Sequence, residues 1–202
     1  MISIILDFAS IKLELITWAT QRATLVFVPG RAFYAETTTG ERPCRSRPFF
    51  AYVTYIRTTP EKLWHALTDA ESMKQYWFGM RCESEWTAGA SWALVSGDGV
   101  VFDDGEIMEA DPPRRLVIRR QHQTKPELKA EGPSLCTMEL EPSSTAVKLT
   151  IAHSIERAPS KLIEAVSGGW PKILSNLKSL LETGAIALEE AYPPKSAQPQ
   201  QA

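Results

Sequence analysis

Cysteine and histidine are scarce in this chain of 202 residues, three of each, and none stands beside another at a useful spacing. Cys44, Cys82 and Cys136 fit neither a disulfide framework nor a metal knuckle, and their odd number suits a reducing compartment, so a cytoplasmic location is expected. An excess of charge of either sign is also missing. With 22 Lys and Arg against 24 Asp and Glu, the net charge of -2 offers no overall attraction to nucleic acid or anionic lipid. The basic cluster Arg114, Arg115, Arg119 and Arg120 divides between the two faces of a strand, which argues further against a nucleic-acid patch.

Long apolar runs are lacking too. No uncharged stretch approaches a membrane span, and at the start no Lys or Arg precedes the apolar residues, which Asp7 interrupts, so neither a span nor a signal peptide is expected. Walker, GxSxG, HExxH and dinucleotide fingerprints are absent, so the sequence displays no standard catalytic engine, and no metal or cofactor is expected. Asp98, Asp103 and Asp104 cluster near glycines but miss the spacing of a calcium loop, and they read as hairpin turns.

What is present is a core. At 44% hydrophobic residues the chain can bury one sizeable interior. Residues 1–48 have little periodicity and end in the linker-like "AETTTGERPCRSRP", so they are expected to form an N-terminal extension. Residues 185–202 close on "YPPKSAQPQQA", too poor in apolar residues to order themselves, and are expected to be a loose tail. The domain proper is 49–184.

Within it, "FFAYVTYIRT" reads as a strand. Thr59 followed by Pro60 starts a short helix with Leu63, Trp64 and Leu67 inward, and Asp69 caps a second helix with Met73, Tyr76 and Trp77 inward, stopped by Gly79. Turn residues then mark strands near 81–87, 90–95, 101–110, 115–123, 134–141 and 146–154. Alternation puts Cys136, Met138, Leu140, Val147, Leu149, Ile151 and His153 on one face, and Arg120 shares a face with Leu116, Ile118 and His122.

The strongest helical signal runs from Pro159 to Thr183. Trp170, Ile173, Leu174, Leu177, Leu180 and Leu181 form its apolar face, while Asn176, Lys178 and Glu182 are left to water. Gly168, Gly169 and Pro171 predict an offset or restart near Ser167 to Trp170, where a ligand could pass.

Six blocks in order, "TTPEKLWHALTDAESMKQYWFG", "EWTAGASW", "GEIMEADPPRRLV", "CTMELEP", "VKLTIAHS" and "GGWPKILSNLKSLLETG", resemble the domain family of activators of the heat-shock-protein-90 ATPase, homologue-like. That family lies in the SRPBCC superfamily with START and birch-pollen-allergen-like domains. The resemblance covers 49–184. It implies an α+β helix-grip fold, a curved antiparallel sheet (strand, two short helices, six strands) wrapped around a long C-terminal helix, with a hydrophobic cavity between them.

The function expected on these grounds is the binding of a small apolar or aromatic molecule in that cavity. Trp64, Trp77, Trp92, Met138 and Trp170 are the candidate apolar lining, and Arg120, His122 and His153 the candidate polar anchors. Each is equally a good core residue. A cyclase- or hydrolase-like enzyme using the same cavity is the alternative, with no catalytic residue assigned, and a co-chaperone acting through a chaperone contact is a third reading. A buried histidine, paired with a carboxylate and open to the cavity, would favour the enzyme.

Overall fold

A computed structural model of the chain describes residues 48–190. The expected N-terminal extension and most of the expected tail lie outside the described residues.

Seven strands form one antiparallel sheet: β1 (Phe49–Ile56), β2 (Arg81–Ser84), β3 (Ser91–Val95), β4 (Val101–Asp111), β5 (Arg115–His122), β6 (Ser134–Ser143) and β7 (Ala146–Ile155). Their order across the sheet is β1-β7-β6-β5-β4-β3-β2. The first two strands therefore lie at opposite edges. The helices α1 (Pro60–Thr68) and α2 (Ala70–Tyr76) carry the chain between them. A one-turn helix, α3 (Pro126–Lys129), follows β5, and α4 (Lys161–Thr183) packs on β1 and β7. This is the α+β helix-grip arrangement.

Local chemistry sets the helix ends. Thr59 Oγ1 accepts from the Lys62 N–H at 3.3 Å with Pro60 at the first helical position, and Asp69 Oδ2 accepts from the Ser72 N–H at 2.7 Å. Gly184, at φ 80°, closes α4 in the left-handed conformation that glycine adopts without strain. Ser160 caps its start through the Ile163 N–H, so the helix begins at Lys161 rather than Pro159.

Between sheet and helices lies the core, with Ile56, Leu63, Met73, Ile107, Leu149, Ile151, Leu174 and Leu177 all nearly inaccessible. Each such side chain contributes about 1.5–3 kcal/mol by leaving water. β7 alternates without a break, burying Val147, Leu149, Ile151, His153 and Ile155.

Two expectations about α4 fail. The helix runs unbroken through Gly168, Gly169 and Pro171. Packing on both sides of the proline holds it, since Leu162 and Ile163 are buried before it and Leu174 and Leu177 after it. Asn176, expected in water, is completely buried. Its Oδ1 accepts from the Ala187 and Leu188 N–H groups at 3.1 and 2.7 Å, and its Nδ2 donates to the carbonyls of Leu188 and Tyr76 at 2.9 and 3.3 Å. Residues 187 and 188 are thereby tied to the helix.

Candidate functional site

β5 presents Leu116, Ile118, Arg120 and His122 inward, as its alternation requires. The neighbouring strand adds what the sequence reading missed. Asp103 is not in a turn: it lies within β4, pairs in register with His122, and is 2% exposed. Its two oxygens serve two partners, one in an ion pair with Arg120 Nη2 and the other 2.8 Å from His122 Nδ1. His122 Nε2 lies 3.1 Å from Thr124 Oγ1, so both ring nitrogens are engaged. One carboxylate thus closes a buried network with no net charge from Asp103 and Arg120.

Nearby glycines made Asp103 read as a turn residue, and a β-bulge hides its true parity. The register of β4 on β5 shifts between Ile107 and Glu109, which inserts Met108 and reverses the inward parity of every residue before it. Uninterrupted alternation from the hairpin would turn Glu106 and Asp104 inward. Instead Asp103, Gly105 and Ile107 share the cross-strand positions of His122, Arg120 and Ile118. At Gly105 the strands approach so closely that a Cβ would sit 1.9 Å from the Arg119 carbonyl oxygen.

Above this network the indoles converge. The Arg120 guanidinium carbon is 5.6 Å from the Trp92 ring centre, Trp77 and Trp170 are 5.4 Å apart, and Trp170 is 5.7 Å from the His153 ring. Trp77, Trp86, Trp92, Arg120, Met138 and Trp170, with the thiols of Cys82 and Cys136, surround a void of only about 10 Å³. That is room for one water molecule at most. Where the resemblance implied a hydrophobic cavity between sheet and helix, four tryptophans leave this small void.

Two polar groups beside the void are left over. His153 is 0% exposed and neither ring nitrogen has a hydrogen-bond partner; burial, with a smaller push from Arg120, holds its pKa well below the usual histidine value, so the ring is neutral. Trp92 is 3% exposed, and its indole N–H lacks a partner of good geometry, with only the weakly accepting Cys82 thiol beside it. Burial pushes the Cys136 thiol up to about 12 and Cys82 higher still, which keeps both protonated and unreactive.

Next to the void, across Trp77, an open apolar cleft of about 320 Å³ runs between Phe78, Met80, Leu94 and Phe102 on one side and Gly169, Lys172 and Ile173 of α4 on the other. Phe78 holds φ at 51°, an unusual backbone for an aromatic residue, beside Gly79 at 79°. The cleft reaches Gly169, one of the glycine pair that the sequence singled out, but along an intact helix.

Of the sequence-named residues, Trp77, Trp92, Arg120, Met138 and Trp170 therefore meet around the void, and His153 lies against Trp170. Trp64 is only half-buried at the core margin and His122 is held away by Asp103 and Thr124; neither lines the void. His65 is exposed. Among the described residues no group of three His, Cys, Asp or Glu side chains is placed to hold a metal ion, and no helix is long and apolar enough to cross a membrane.

Comparison with known proteins places this geometry in a family. No curated protein matches the chain. Among solved structures, protein MLL2253 from Mesorhizobium loti is 23% identical at a TM-score of 0.58, over 66% of this chain and 96% of that one. PFC0360w from Plasmodium falciparum, described as an HSP90 activator, is 24% identical at a TM-score of 0.54, over 66% of this chain and 95% of that one. DynU16, a putative protein of the dynemicin biosynthetic locus, is 25% identical at a TM-score of 0.57, over 68% of this chain but 48% of its own length. The family model described as "Activator of Hsp90 ATPase homolog 1-like protein" matches residues 57–182, more than half of the chain. The chain belongs to that family.

Proposed function

We propose that this protein binds a small, flat, hydrophobic molecule, with the body of the ligand in the cleft beside α4 and its polar end turned past Trp77 toward Arg120. The observation that carries this reading is the junction of two unlike spaces at one side chain. The cleft is apolar and of ligand size, near the low end of the usual 300–1,000 Å³, and the small void behind it carries one charged group in its wall, the Arg120 guanidinium. Trp77 lines both and is the wall they share.

Catalysis requires an acid or base beside the bound molecule. His122 has its carboxylate but both nitrogens are engaged and it does not line the void, while His153 borders the void's walls without a carboxylate. Binding needs neither. Native mass spectrometry of protein purified from its own host, followed by displacement with a fluorescent fatty acid or aromatic dye, tests the proposal. One ligand per chain, displaced by the dye, is expected; a chain that retains nothing and takes up no apolar dye would overturn it.

The family description and the Plasmodium falciparum structure favour one further reading, contact with an HSP90 chaperone. Added chain would then raise the chaperone's ATPase rate.

A further inference from the structure

We infer that the ligand carries a neutral acceptor oxygen on an aromatic ring system, a ketone or quinone carbonyl, received by Trp92 and Arg120; this rests on the binding function proposed above. Three observations lead there. The first is the chemistry left unused around the void. The Trp92 indole offers a donor and no acceptor, and Arg120 spends Nη2 on Asp103 while its guanidinium, with further N–H groups, remains part of the wall. A surplus of donors selects an acceptor, and an unmet buried donor is costly enough that the fold has reason to keep one only where a partner arrives.

The second is charge. Asp103, 2% exposed, already neutralises Arg120, so a carboxylate ligand would leave the interior with one unbalanced negative charge. A carbonyl adds none. The third is shape: Trp77 and Trp170 meet in a tilted contact, ring centres 5.4 Å apart at 52°, so a group that displaces the Trp77 indole to reach the void meets the face of Trp170, on which a flat ring packs better than a bulky aliphatic group.

Equilibrium dialysis with 9-fluorenone and fluorene isolates the claim, because the two differ in little but the carbonyl oxygen. Fluorenone is expected to bind about tenfold more tightly, the ratio that about 1.4 kcal/mol of hydrogen bonding produces. In Trp92→Phe, which removes the N–H and keeps most of the ring, the ratio should fall to about threefold or less by loss of one donor. The double variant Asp103→Leu with Arg120→Met, which leaves no unpaired charge but keeps the Trp92 N–H, should likewise bring it to about threefold, and adding Trp92→Phe to it should bring it near unity. The ratio is the readout, since loss of apolar enclosure lowers both affinities together. Equal binding of the two by the wild-type chain would overturn the carbonyl assignment while leaving hydrophobic binding intact, as would a ratio unchanged in both variants. Tighter binding of fluorene-9-carboxylate than of fluorenone would overturn it in favour of an anion. Failure of all three compounds to bind would overturn the binding function itself, and this inference with it.

Discussion

Two sets of buried polar side chains lie on the inner face of the same sheet, one closed and one open. In the first, Asp103 bonds Arg120 and His122, and His122 passes its second nitrogen to Thr124. In the second, His153 and Trp92 hold three nitrogens with no partner of good geometry. Sequence composition cannot account for the contrast, since both sets contain a histidine, and depth does not either, since Asp103, Arg120, His122, His153 and Trp92 are all buried and only Thr124, at the end of the closed set, is exposed. Partners were within the fold's means: Asn176, equally deep, satisfies its amide through Tyr76, Ala187 and Leu188. The difference separates a closed set that ties neighbouring strands together from an open set whose nitrogens the proposed ligand, shared with the spare N–H groups of Arg120, would engage.

The comparison is broken most easily at the closed set. Asp103→Ala should cost about 3–5 kcal/mol by stranding the Arg120 charge in the interior, and Arg120→Met added to it should restore most of the loss. Urea melts of the two variants decide this. If Asp103→Ala cost less than about 1 kcal/mol, the range of an exposed pair, the closed set would not be structural at all. Trp170→Ala belongs to the same range, about 3–5 kcal/mol for a fully buried indole, but unlike Asp103→Ala it should also speed the release of a bound apolar dye.

Asn176→Ala comes next. It leaves the Tyr76 and Leu188 carbonyls and two N–H groups without their partner, and about 1–3 kcal/mol should be lost if they stay buried. Hydrogen exchange at Ala187 and Leu188 should rise before the rest of the domain unfolds. Unchanged exchange at those amides would mean that the strap is held by something other than Asn176.

These variants also mark where sequence reasoning reached and where it stopped. Elements governed by neighbours in the chain were legible: Thr59 with Pro60, Asp69, and the unbroken alternation of β7 each act within a few residues. Asp103 was not, because the glycines near it read as turn chemistry and the bulge at Met108, which leaves no composition signal, reverses the parity of β4. Asn176 was not, because one of its partners is 100 residues away and the others lie in a segment without periodicity. Pro171 misled in the other direction, since local propensity argued for a break that packing on both sides overrides. At the site, Trp77, Trp92, Trp170 and Arg120 were named from strand parity and helix spacing, but Trp64 stays at the core margin, Trp86 was not named, and the void of about 10 Å³ depends on how four rings fit together.

The open set has its own pH signature. His153 is held neutral in the fold, with its pKa well below the usual histidine range, by burial first and Arg120 second; Cys136, its partner across the β6–β7 pairing, stays protonated and uncharged. The unfolded chain therefore takes up a proton below about pH 6.5 that the folded chain refuses, so the contribution is complete above that pH and lost as pH falls. The slope should approach about 1.4 kcal/mol per pH unit for this one group. His153→Leu should remove that slope between about pH 6.5 and 5, and should stabilise the empty protein by deleting two unmet polar atoms. A steeper slope in the variant than in wild type would assign the acid sensitivity elsewhere.

The smallest effect tests the cleft rather than the core. Gly168 and Gly169 both lie in α4 with open space where a Cβ would stand, so alanine at either should raise stability by about 0.4–1 kcal/mol through helix propensity and a less flexible unfolded chain. They differ in one respect: Gly169 lines the cleft beside Trp77 and Ile173, and Gly168 does not. A methyl group at 169 should narrow the approach to Trp77 and slow both uptake and release of an aromatic dye, whereas the same methyl at 168 should stabilise equally and leave exchange unchanged. Thermal melts and stopped-flow dye displacement on the pair read the two effects separately. Equal slowing in both variants would trace exchange to the stiffness of the helix, and no slowing in either would mean that the dye does not pass through this cleft.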